Sequence, residues 1–161
     1  MTDQALVDAV RRSRLATELS EVQMRTLADS LALRDLRHDE VLVREGTSDN
    51  HLYVIVSGAL SVVRNAGTAE QVILFTLGAG DLVGELSFID GTEHYASLVA
   101  TGPTQVFGLE RERLEALLPV QPEIVYRVMR AIVRTVHQIQ RRLSMQSVEL
   151  ANYIYKQHGR Y

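Results

Sequence analysis

Between residues 41 and 101 the chain breaks into short β-branched runs that glycine, asparagine and aspartate keep interrupting. Val41-Leu42-Val43, Leu52-Tyr53-Val54-Ile55-Val56, Leu60-Ser61-Val62-Val63, Val72-Ile73-Leu74-Phe75 and the segment 96–101 are each strand length. Between them stand Gly46, Asp49-Asn50, Gly58, Asn65-Ala66-Gly67 and Gly78-Ala79-Gly80-Asp81. Runs this short cannot form a helical core, and their spacing predicts an antiparallel sandwich or barrel. Eight of the ten glycines fall between residues 46 and 102, which suits the tight corners of a rolled-up sheet.

The flanks have a different period. In residues 4–32 Leu6, Val10, Leu15, Leu19 and Val22 recur at three- and four-residue steps, and Met24, Leu27 and Leu31 continue them. Ser20 with Glu21 and Gln23 reads as a capping box that starts a second helix. Residues 33–109 carry the strands, and 110–157 return to helix. A short helix over 110–118 stops at Pro119, and Pro122 suits the first turn of a long one. Within the long helix Val125, Met129, Ile132, Val136, Ile139 and Leu143 alternate four- and three-residue steps, with Gln146 and Leu150 in register. That is a heptad seam, and a helix carrying it beyond its own domain must bury it elsewhere. The division expected is residues 1–121 for the N-terminal helices and roll, and 122–161 for a dimerisation helix of the same domain.

Composition narrows the function. A net charge of −3, from 17 basic and 20 acidic residues, argues against a protein that coats nucleic acid. No cysteine is present, so no disulfide framework, thiolate nucleophile or cysteine metal site is available. The five histidines, His38, His51, His94, His137 and His158, lack metal-site spacing, and Ser57 and Ser87 lack the context of a hydrolase elbow. Neither an enzyme nor a metal protein is expected. No apolar run approaches the roughly 20 residues of a membrane span, and Met1-Thr2-Asp3-Gln4 does not open a secretory leader, so a cytoplasmic location is expected. Arg127, Arg130, Arg134, Arg141 and Arg142 read as the solvated side of the long helix, pairing with glutamates, before they read as a nucleic-acid patch.

One stretch carries chemistry. Residues 84–100 open on Gly84-Glu85, continue as a short helix, turn at Asp90-Gly91 and resume as a strand at Ala96. Such a turn aims backbone N–H groups at one point, which is how a protein cradles a phosphate.

Three ordered motifs complete the pattern: Asp39-Glu40-Val41-Leu42-Val43-Arg44-Glu45-Gly46, then Leu52-Tyr53-Val54-Ile55-Val56-Ser57-Gly58, then Leu77-Gly78-Ala79-Gly80-Asp81-Leu82-Val83-Gly84-Glu85-Leu86. With them the chain resembles the cyclic-nucleotide-binding domain family, the catabolite-activator-like sensor domains, from about Leu19 to about Leu143. The resemblance implies an eight-stranded antiparallel β-roll with flanking helices, and cyclic AMP or cyclic GMP as ligand. It implies a ribose contact at Glu85, phosphate contacts from the backbone N–H groups of Leu86 and Ser87, and further contacts from Gly84 and Ala96. The family's phosphate-binding arginine and the residue after it fall on His94 and Tyr95. In family dimers the long helix reaches the base, which by position points to Ile139, Gln140 and Ser147. The resemblance also implies a homodimer through Val125, Met129, Ile132, Val136, Ile139, Leu143 and Leu150, signalling to an effector protein. Family members that read DNA continue into a winged helix-turn-helix, for which the tail after residue 157 leaves no room, so direct DNA binding is not expected.

His94 departs from the pattern. Arginine grips phosphate with a permanently charged planar fork, whereas histidine offers at most two divergent donors and is charged only below about pH 6.5. Losing the fork costs on the order of 1.5–3 kcal/mol. Two readings stand together: a weaker, pH-sensitive phosphate contact assisted by the Tyr95 hydroxyl, or a cassette that keeps its fold and has lost its ligand.

Overall fold

The computed structural model describes residues 3–158. The expectations that rest on Met1 and Thr2, and on the tail at 159–161, lie outside the described residues. Helix α1 (Gln4–Arg11), a 3-10 turn (Arg14–Thr17) and α2 (Glu21–Ala28) precede eight strands. These are β1 (Leu31–Leu36), β2 (Val41–Val43), β3 (His51–Ser57), β4 (Ala59–Arg64), β5 (Val72–Gly78), β6 (Leu82–Val83), β7 (Ser97–Ala100) and β8 (Thr104–Glu110). Helix α3 (Glu85–Asp90) interrupts them between β6 and β7, and α4 (Arg111–Glu115) and α5 (Pro122–His158) follow.

All strand pairs are antiparallel, in two four-stranded sheets ordered β1-β8-β3-β6 and β2-β7-β4-β5. The expected eight-stranded β-roll is therefore present. Strand β3 explains why Leu52–Val56 reads as an unbroken apolar run. Its Leu52 and Val54 face the core beneath the helices, while Tyr53 and Ile55 face the core between the sheets. A strand covered on both faces needs no polar alternation. Strand β5 lies at a sheet edge, and its Val72, Ile73 and Leu74 stay exposed.

The N-terminal flank differs from its sequence reading. The Ser20 capping box is present, with Gln23 as its partner. Leu31, however, is strand: it opens β1 opposite Leu109 of β8. Val22 is exposed, so three- and four-residue steps overran the packed face of α2.

The long helix carries the larger correction. Ile124, Val128, Ala131 and Ile132 are buried in the chain's own core with α1, α2 and α4. Ile132, assigned to the dimer seam, is 0% exposed and has no free face for a second chain. Val125 and Met129 are half-buried against the same core. The other six expected seam residues keep exposed surface, Leu143 and Leu150 most of all. Tyr126, Val133, Gln140, Leu143, Ser147 and Leu150 form an exposed stripe along the helix, with Met129 and Val136 half-buried beside it. Every residue from Gln140 to Gln157 is exposed, along a helix segment of roughly 27 Å.

Two ion-pair brackets hold the inner half of α5. The Glu18 carboxylate, 6% exposed, accepts from Arg130 Nε at 3.1 Å and pairs with Arg134 at 2.9 Å, while Arg127 donates to the Glu18 carbonyl. Arg14 binds Asp81 at 3.0 Å and also donates to Gln138. Three of the five arginines thus pair within the chain, as the solvated-side reading expected.

Candidate functional site

Strand β6 delivers the chain to Gly84, whose φ of +78° lies in the left-handed region. A Cβ there would stand 3.3 Å from the His51 carbonyl oxygen, so the turn into α3 needs glycine twice over. Gly91 ends α3 in the same conformation at φ +74°. Asp90 then accepts from the Thr92 N–H at 2.9 Å and from its hydroxyl, which fixes the turn and holds its carboxyl below the usual range.

The cassette is tied to the loop that precedes β3. The His94 N–H donates to the Thr47 carbonyl at 2.7 Å, and the Gly46 N–H donates to the His94 carbonyl at 2.8 Å. The buried Ser87 hydroxyl accepts from the Asp49 N–H at 2.7 Å and donates to the Asp49 carbonyl at 2.8 Å. Asp49 Oδ1 accepts from the His51 N–H and lies 3.6 Å from His94 Nε2.

Together these elements line a narrow pocket of about 50 Å3, well below the usual size of a small-molecule site. Gly84, Glu85, Leu86, Ser87, His94, Tyr95 and Ala96 all line it, so the structure assembles the cassette residues expected from the sequence. The opposite wall is apolar, from Val62 of β4, Phe75 and Leu77 of β5 and Leu98 of β7. Ile139 of α5 completes the lining. Gln140 and Ser147 are exposed and do not line the cavity of their own chain.

Its electrostatics are unusual for an anion site. Burial pushes the Glu85 carboxyl above the usual range, against a smaller opposing effect of its own backbone N–H. Partial burial, and then the Glu85 charge, push the Tyr95 phenol up, so it remains a donor at neutral pH. Glu93 is a second acidic lining group. No arginine or lysine lines the cavity among the described residues, which leaves His94 as the lining side chain that can become a cation there. Asp49 and the apolar wall escaped the sequence reading. Asp49 sits in a turn-like Ser-Asp-Asn stretch, and no local pattern announces that it will meet His94.

Among the described residues no cluster of three or more histidine, cysteine or acidic side chains could hold a metal, and no helix is long and apolar enough to cross a membrane.

Comparison with known proteins agrees with this geometry. The family model for the cyclic nucleotide-binding domain matches residues 33–119. The chain is 26% identical over 100 residues to a CRP-like cAMP-activated global transcriptional regulator of Mycobacterium tuberculosis, covering 62% of this chain and 45% of that one. It is 30% identical over 107 residues to the cyclic AMP receptor protein of Thermus thermophilus, covering 66% and 50%. The chain thus spans about half the length of these two relatives. The crystal structure of a cyclic nucleotide-binding domain from Methylobacillus flagellatus superposes with a TM-score of 0.76 at 26% identity, over 86% of this chain and 78% of that one.

Proposed function

The chain belongs to the cyclic nucleotide-binding domain family, and on that premise we propose that it is a non-catalytic sensor whose 84–100 cassette binds cyclic AMP or cyclic GMP and whose long helix carries the signal. The observation that carries this reading is the shared wall. Ile139 of α5 lines the same cavity as Glu85 and His94, so an occupant touches the cassette and the helix at once. A ligand that favours one placement of the helix shifts its population by the difference in its affinity for the two placements.

The roles follow from the chemistry. Glu85, acceptor-only when ionised, suits a ribose hydroxyl. The Leu77, Leu82 and Leu98 wall suits a purine face. The exposed stripe Tyr126, Val133, Leu143 and Leu150 of the long helix is covered by a second copy of this chain. Gln140 and Ser147 sit at seam positions, where a polar layer sets register. This homodimer would present the helix pair to an effector protein.

Calorimetry with cyclic AMP and cyclic GMP at pH 6 tests the reading. Binding that Glu85→Ala weakens by tenfold or more supports it; no heat from either nucleotide at millimolar concentration sinks it. A second reading rests on the absence of arginine and lysine from the cavity lining: a constitutive dimer whose cassette takes no cyclic nucleotide. Dimers in light scattering together with silent calorimetry would favour it.

A further inference from the structure

Among the described residues one buried side-chain polar atom has no hydrogen-bond partner, and it is the Nε2 of His94. The side chain is 8% exposed. The backbone of the residue is engaged at both its N–H and its carbonyl, with Thr47 and Gly46. A buried orphan of this kind costs on the order of 1–3 kcal/mol and calls for a cause.

The protonation states of the ring supply one. A neutral imidazole has one donor and one acceptor. With its proton on Nδ1, the Nε2 lone pair faces the Asp49 carboxylate 3.6 Å away. With its proton on Nε2, the ring serves Asp49, but the nitrogen left over is an acceptor and repels an anion. Only the imidazolium has two donors in divergent directions, one for Asp49 and one for an acidic group in the cavity that the ring lines.

We infer that His94 and Asp49 form a proton-gated anion site, in which the acidic group of the ligand enters together with one proton. The inference rests on reading the cavity as a nucleotide site and adds its regulation. Asp49 approaches from the loop before β3, Glu85 from α3 and Glu93 from the chain neighbour, all acidic. His51 and Tyr53 of β3 stack on each other beside Gly84, and Tyr95 adds a neutral hydroxyl. The same carboxylates oppose an anion that arrives without a proton. Such a sensor responds to its ligand in acid and falls silent in base.

Calorimetry with cyclic AMP at pH 6 and pH 8, each in two buffers of different ionisation heat, tests the linkage. Affinity is expected to be roughly tenfold or more tighter at pH 6, with a proton taken up on binding at pH 8. His94→Arg is expected to bind at pH 8 as at pH 6, and His94→Gln to bind weakly at both. Asp49→Asn is expected to weaken binding at pH 6 and flatten the profile. Equal affinity at both pH values with buffer-independent heats would overturn the gate and leave the nucleotide site standing. Absence of binding at pH 6 would overturn both.

Discussion

The Ser87 hydroxyl holds Asp49 by both ends of its backbone, accepting from the N–H at 2.7 Å and donating to the carbonyl at 2.8 Å. One side chain thereby fastens the cassette helix to the loop that presents Asp49 to His94. Ser87→Ala strands both backbone groups in a partly buried setting, for about 1–3 kcal/mol of stability. Chemical denaturation is expected to show that loss, and nucleotide affinity is expected to fall because Asp49 is no longer placed. Unchanged stability would mean that water replaces both bonds.

Glu85 makes a pH-dependent contribution of known sign. Burial raises its carboxyl above the ordinary value of 4.5, so the folded state holds that proton more tightly than the unfolded chain. Stability is therefore full below about 4.5 and is lost as pH rises through the raised value. Glu85→Gln is expected to raise the melting temperature at pH 7, with the gap closing toward pH 4, while nucleotide affinity drops by roughly tenfold or more. A variant that melts lower at pH 7 would show that the carboxylate is a net stabiliser.

The proposed seam separates two kinds of substitution on one helix. Val133→Glu with Leu150→Glu alters two exposed positions and is expected to give folded monomers in light scattering. Ile132→Glu buries a charge in a fully closed core position and is expected to lose cooperative folding in circular dichroism. A dimer that persists in the first variant would place the interface elsewhere.

Glu18 anchors the inner half of α5. Its carboxylate is 6% exposed, while Arg130 and Arg134 are 45% and 58% exposed, so solvent screens the pair and moderates its worth. Glu18→Gln is expected to cost about 1–2 kcal/mol in chemical denaturation. If the bracket also fixes where the helix meets the cavity, ligand affinity changes with it.

The cassette was legible because its requirements are local. Gly84 takes a left-handed turn, Glu85 opens a short helix and Asp90-Gly91 closes it, all within a few residues. The roll was legible because β-branched runs between turn residues leave few other folds. Strand β1 was misread because Leu31 satisfies the helical period of α2, and pairing with Leu109 outweighs that pattern. Asp49 was invisible because its partner lies on a distant segment.

Helix α5 draws the dividing line most sharply. Composition and order along the chain were enough to specify an antiparallel sandwich or barrel, which the family resemblance narrowed to a β-roll, with a phosphate-type cassette within it and a long apolar helix after it. Which apolar face of that helix the roll would cover was open, since two rows one residue apart satisfy the same period. Packing resolved it: Ile124, Val128, Ala131 and Ile132 fill the core, while Tyr126, Val133, Leu143 and Leu150 stay exposed. The same holds for His94, a residue type in the sequence and a buried, half-paired base in the fold. Periodicity and turn chemistry act between near neighbours, whereas burial and charge pairing depend on segments that meet only when the chain has closed.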